Sequence, residues 1–155
     1  MLENGKPAPP FTLTADDGST VSLSDFLGQR VLLFFYPRAD TPGCTTQACG
    51  FRDNWDDIQA ANATVLGISP DQPEANAKWK ANQNFPFMLL SDPDHQVAEQ
   101  YSAWGERSMY GNKFMGIIRS HFIVDAEGNF EDVQVKISPK KSIAKAMKQL
   151  KSSGG

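Results

Sequence analysis

The stretch that most constrains the fold is the run from Val31 to Tyr36, VLLFFY, closed by Pro37. Nothing in it alternates between apolar and polar, so a strand built from it has no side to give to water. That pattern suits a central strand buried on both faces. It is also the longest apolar run in the chain, far short of the roughly 20 residues a membrane-spanning helix needs. No membrane partner is expected.

The rest of the chain arranges itself around this strand. FTL and TVSL flank TADDGS, which reads as a short hairpin with its turn at Asp17-Gly18. After Pro37 comes a helix opened by Pro42, then a second buried strand, ATVLGIS. A helix opened by Pro73, a strand-like FPFMLLSD and a short helix PDHQVAEQY follow. The glycine-punctuated WGERSMYGNKFMGIIRS reads as a loop leading into the strand SHFIVD. AEGN turns that strand into its partner FEDVQVKI, and a last helix runs from Pro139 to about Leu150. Strand, helix, strand, helix, hairpin, helix is a layered α/β order. We expect a thioredoxin-like fold, a central mixed β-sheet flanked by helices, with an added N-terminal β-hairpin. Residues 1–150 form one domain in this reading, and 151–155 a flexible tail.

Both cysteines lie on the helix after the central strand, in DTPGCTTQACGF. Thr41 is placed as its N-cap and Pro42 at the first helical position, where a missing N–H costs nothing. Cys44, Ala48, Phe51, Trp55 and Ile58 then recur at spacings of three and four and form an apolar face. Cys44 falls in the first turn, where free N–H groups and the helix dipole favour a thiolate over a thiol. The thiolate is the nucleophile, so Cys44 is the reactive cysteine. Cys49, five residues on, sits about 8.6 Å away Cα to Cα and is rotated by about 140° around the axis. A disulfide needs Cα atoms within about 7 Å, so the two thiols bond only if the first turns unwind. Gly50 either weakens the helix beside the thiol that must move or packs closely against another element. A thiolate whose partner arrives after a conformational change suits two-step oxidation, sulfenic acid first and then a disulfide. A dithiol built for disulfide exchange is normally C-x-x-C.

Composition removes other classes. The net charge is −3, and the lysines of PKKSIAKAMKQLK fall on the polar side of a helix, so no nucleic-acid partner is expected. Two cysteines are too few for a disulfide framework, and with only two histidines a four-ligand zinc site is poorly supplied. The start, MLENGKPAPPF, has neither a basic nor an apolar targeting region, so a cytoplasmic protein is expected.

FFYPRADTPGCTTQACGFRDNW resembles the active-site segment of the peroxiredoxins, matching their P-x-x-x-T-x-x-C motif as Pro37, Thr41 and Cys44. The second cysteine and the following FRD resemble the PrxQ subgroup, also called bacterioferritin comigratory protein. The likeness continues through VLGISPD, LLSDPD, WGERSMYG and MGIIRSHFIVD. It implies a thioredoxin-like fold, a thiol peroxidase activity and no metal or organic cofactor. It further implies that Cys44 is the peroxidatic cysteine, Cys49 the resolving one, and Thr41 and Arg119 the groups that hold the peroxide oxygens and the thiolate. Hydrogen peroxide and alkyl hydroperoxides are the implied substrates, and thioredoxin or a similar dithiol protein the reductant. The backbone N–H groups of Gly43 and Cys44 would complete the cradle. A monomer is expected, because both cysteines lie on one helix.

Other residues admit a plainer reading. Arg38 and Arg52 are expected to be solvated or paired with carboxylates. Trp104, Met109, Tyr110 and Met115 either wall a substrate pocket or pack in core and loop. His121 departs from the family's usual threonine and shares a strand side with Arg119. It is expected to be partly exposed and hydrogen-bonded, with tuning of Cys44 as the alternative.

Overall fold

The computed structural model describes residues 2–152. Its main sheet has seven strands: β1 (Thr12–Ala15), β2 (Thr20–Ser22), β3 (Arg30–Phe35), β4 (Ala63–Ser69), β5 (Met88–Ser91), β8 (Ser120–Val124) and β9 (Phe130–Val135). Their order is β2-β1-β5-β4-β3-β8-β9. Strand β3 lies parallel to β4 and antiparallel to β8, so the sheet is mixed. Every residue of β3 is buried, as its unbroken apolar run demands. Two further strands, β6 (Trp104–Met109) and β7 (Asn112–Ile117), form a separate antiparallel pair.

The period-two alternation of β3 divides the core. Leu32, Phe34 and Tyr36 face one side, with Cys44, Ala48 and Phe51 of α1 (Pro42–Asp53). On that side also lie Ile58 of α2 (Trp55–Ala60), Trp79 of α3 (Pro73–Gln83), and Ala146, Met147 and Leu150 of α5 (Pro139–Ser152). Val31, Leu33 and Phe35 face the other side, with Phe11, Tyr101, Phe122, Phe130 and the short α4 (Gln96–Gln100). The fold is thus the expected mixed sheet flanked by helices. The N-terminal hairpin is also as expected: β1 pairs with β2, Asp17 and Gly18 turn between them, and β1 joins the sheet through β5.

Several local expectations are corrected. WGERSMYGNKFMGIIRS is not a loop but the β6–β7 hairpin, turned at Tyr110 and Gly111, both with positive φ (53° and 83°). That is the twist a two-residue hairpin turn requires. The helix carrying the cysteines does not run on through Ile58. It stops at Asp53, where the Asn54 side-chain amide donates to the Gly50 carbonyl at 2.7 Å, and α2 starts afresh. The last helix continues through Ser152, two residues past its expected end. The rest of the expected tail, residues 153–155, lies outside the described residues.

Gly50 resolves in favour of packing. A Cβ placed there would lie 2.1 Å from Cδ1 and 2.5 Å from Cγ1 of Ile143, on α5. The glycine lets α1 and α5 approach, and the notion of a deliberately weakened helix falls away.

Candidate functional site

Strand β3 ends at Phe35, and Tyr36 and Pro37 carry the chain off the sheet edge. Pro42 then fixes the first turn of α1. This delivers Cys44 to the helix N-terminus, where its side chain is buried and its thiol free. Thr41 occupies the N-cap position with extended backbone (φ −107°, ψ 155°), but its side chain does not cap. The hydroxyl instead donates to the Arg38 carbonyl at 2.8 Å. Two consequences follow. The N–H groups of Gly43 and Cys44 keep no intrahelical acceptor and no cap. The Thr41 oxygen, its proton committed to Arg38, is left as an acceptor for a ligand O–H.

Arg119 comes from the other side of the sheet centre, one residue before β8. Its Nη2 donates to Cys44 Sγ at 3.5 Å, and its Nη1 to Gln47 Oε1 at 2.8 Å. Gly43 permits this approach, since a Cβ there would stand 3.0 Å from Nη2. Thr41, Cys44 and Arg119 therefore come together as expected. Gln47, one helical turn beyond Cys44 and fully buried, is part of the same cluster. Its i+3 spacing from Cys44 was the available signal, but nothing local marks its partner 72 positions away.

Thr41, Gly43 and Arg119 border an open cavity of about 590 Å³. Its far wall is Trp104 and the β6–β7 pair, with Met109, Phe114 and Met115. Three of the four aromatic and methionine candidates thus face the site; Tyr110, at 97% exposure, does not line it. Arg107 lies on the same wall with its guanidinium 5.7 Å from the Phe114 ring centroid. Sequence reading missed it inside the supposed loop.

Cys49 lies on the same unbroken helix, half-buried and free. Its thiol donates to Gln83 Oε1 at 3.6 Å. Burial raises its pKa above the ordinary thiol value, Arg52 lowers it and Asp53 raises it, with a net upward shift. Arg52 pairs with Asp53 at 3.0 Å, as expected, and also donates to the Gln83 carbonyl at 2.7 Å. Tyr36, in the same cluster as Cys44, is held protonated: burial lifts its phenol well above the usual range. Trp79 reaches over α1 and donates its indole N–H to Thr45 Oγ1 at 3.2 Å. His121 is fully buried rather than partly exposed, because β8 is covered on both faces. Among the described residues no group of three His, Cys, Asp or Glu is placed to hold a metal ion, and no helix is long and apolar enough to cross a membrane.

The AhpC/TSA family model matches residues 4–133. Peroxiredoxin Bcp of Escherichia coli K12 is 52% identical over 132 residues, 85% of either chain. Peroxiredoxin Bcp of Bacillus subtilis 168 is 41% identical over 150 residues, 97% of this chain and 96% of its own. Among solved structures, Xanthomonas campestris bacterioferritin comigratory protein, described for its alkyl peroxide reduction activity, superposes with a TM-score of 0.88. It has 28% identity and covers 100% of this chain and 99% of its own. A cysteine-to-serine mutant of Xylella fastidiosa PrxQ gives 0.92 at 26% identity, over 100% and 99% of the two chains.

Proposed function

The chain belongs to the AhpC/TSA family and is a peroxiredoxin, and on that premise we propose that Cys44, Thr41, Arg119 and Cys49 carry a two-cysteine peroxidase cycle within one chain. The observation that supports this most directly is the Arg119 guanidinium at 3.5 Å from Cys44 Sγ, on an uncapped helix N-terminus.

In the first step the Cys44 thiolate attacks the terminal oxygen of a hydroperoxide in line with the O–O bond. The S–O bond forms as the O–O bond breaks, and the departing oxygen takes a proton and leaves as water or an alcohol. Charge moves from sulfur to the leaving oxygen. Arg119 and the N–H groups of Gly43 and Cys44 are placed to follow it, the arrangement that stabilises a transition state most effectively. The Thr41 oxygen accepts a hydrogen bond from the peroxide O–H and so orients the substrate. The second step joins Cys49 to the Cys44 sulfenic acid, releasing water. It needs α1 to unwind, because five residues of intact helix hold the two Cα atoms beyond disulfide reach. An external dithiol, thioredoxin in our reading, then reduces the disulfide and carries it away. Both cysteines belong to one helix, so a monomer suffices, and the cycle suits a reducing compartment such as the cytoplasm.

The deciding assay is peroxide consumption with thioredoxin and its reductase supplied. Cys44→Ser should abolish turnover. Cys49→Ser should still consume about one equivalent of peroxide and then stop recycling. Equal, sustained turnover by both variants would refute the assignment.

A further inference from the structure

Behind Arg119 a line of side chains runs through the core, away from the peroxide cavity. Gln47 Nε2 donates to Ser142 Oγ, on α5, at 2.9 Å. Ser142 Oγ lies 2.6 Å from Nδ1 of His121, on β8. His121 Nε2 faces Asp132 Oδ2, on β9, at 3.7 Å. Gln47, Ser142 and His121 are all fully buried. Among the described residues, His121 Nε2 is the one buried side-chain nitrogen or oxygen left without a hydrogen-bond partner. Buried polar groups are costly unless satisfied, and a core that tolerates three in a row holds them for a reason.

The chemistry of the groups sets the direction of the first two bonds. A guanidinium only donates, so the Gln47 carbonyl must face Arg119 and its NH₂ must face Ser142. The Ser142 oxygen accepts that bond; its hydroxyl could donate to His121 or accept from it, and the Asp132 carboxylate facing Nε2 decides, because it favours the ring proton there and leaves Nδ1 to accept from Ser142. The imidazole proton then sits on Nε2, pointed at the Asp132 carboxylate. The donors run one way, from Arg119 through Gln47, Ser142 and His121 to an anion. Asp132 is placed to anchor that polarity. Burial raises its pKa, but His121 and Gln134 lower it further, so it stays ionised.

We propose that His121 is a positioning residue which, through Ser142 and Gln47, fixes the Arg119 guanidinium in the orientation that faces the Cys44 sulfur. The proposal rests on Arg119 being the group that assists peroxide attack. Without an acceptor at Nδ1, the Ser142 hydroxyl is free to turn, Gln47 loses its fixed amide orientation, and Arg119 loses the carbonyl that holds its Nη1 edge.

The test uses the full-length reduced protein and four variants: Arg119→Met, His121→Leu, His121→Asn and Ser142→Ala. Two quantities are read: the second-order rate with hydrogen peroxide in a single turnover, and the pH profile of Cys44 alkylation followed by peptide mass spectrometry. His121→Leu and Ser142→Ala should each slow the peroxide step by about 10-fold and move the alkylation profile to higher pH. His121→Asn should recover most of the loss, since its Oδ1 stands close to where Nδ1 was. Combining His121→Leu with Ser142→Ala should cost no more than the worse single change, as for links of one chain. Wild-type rates and profiles in His121→Leu and Ser142→Ala, with Arg119→Met slow, would overturn the relay and leave Arg119 in the site. A wild-type rate in Arg119→Met would remove Arg119 itself. Losses that multiply, or His121→Asn as slow as His121→Leu, would reduce His121 to packing. If His121→Leu does not fold, Ser142→Ala, which removes one hydroxyl, decides alone.

Discussion

Two identical thiols on one helix are placed in different surroundings, and those of Cys49 can be probed by titration. Burial disfavours the Cys49 thiolate and lifts its pKa above that of an ordinary thiol. In Cys44→Ser, where Cys49 is the remaining cysteine, alkylation should therefore rise at higher pH in the folded protein than in urea. Coincident profiles would show that burial does not restrain this thiol. The sign matters for the proposed cycle, in which Cys49 waits as a thiol at neutral pH and becomes a competent nucleophile as α1 opens to water. At this scale the sequence was partly legible. Thr41 and Cys44 share one local motif, and Arg119 came in through the resemblance to the peroxiredoxins. Gln47 and Ser142 did not, because their meaning lies in partners 72 and 95 positions away. The Thr41 hydroxyl was read as a cap, and only the fold shows it turned to the Arg38 carbonyl.

In the proposed cycle α1 is the element that moves, and its attachments decide how. Intrinsic propensity alone says that Gly50→Ala should stabilise it by about 1 kcal/mol. The structure reverses that sign, since the new Cβ would overlap Ile143 on α5. Overpacking typically costs about 1–3 kcal/mol, so Gly50→Ala should lower the melting temperature. Adding Ile143→Ala to make room should restore part of the loss; a single variant that melts higher than wild type would show that Ile143 yields freely. Trp79 is a better reporter of α1 than Trp55, because its indole bond to Thr45 breaks when the first turns unwind. Elements with a buried face were legible from their periodicity, β3 and α1 above all. The β6–β7 pair was not. Much of it stands in solvent on both faces, so no period-two pattern was imposed on its sequence.

Across the whole molecule, one buried arginine fastens the end opposite the peroxide cavity. Arg30 opens β3, pairs with Glu131 of β9, and donates to the carbonyls of Ala61 (3.3 Å) and Leu150 (3.0 Å). It thereby satisfies backbone groups where α2 and α5 end. Arg30→Met should cost about 3 kcal/mol, because the half-buried Glu131 loses its cation and keeps only the neutral Gln149 amide, which donates to its Oε2 at 3.0 Å. That corresponds to a fall of roughly 6–12 °C in Tm for a chain of this size. Replacing both partners by methionine should cost less than either single change. If Arg30→Met melts with wild type, the pair contributes nothing. Its tether also fixes the direction of α5. That fourteen-residue helix begins beside the candidate site, where a Cβ on Gly43 would be 3.7 Å from Pro139 Cγ, and ends at Ser152. At 1.5 Å per residue the far end lies about 20 Å from the peroxide cavity. A redox-sensitive fluorescent protein fused after Ser152 would begin its search from there. A glycine–serine tether spans about 5–6 Å times the square root of its length, so about 15 residues match the gap. Such a length maximises the effective concentration of the reporter thiols at the opened helix, while a much shorter one would leave the sensor dark.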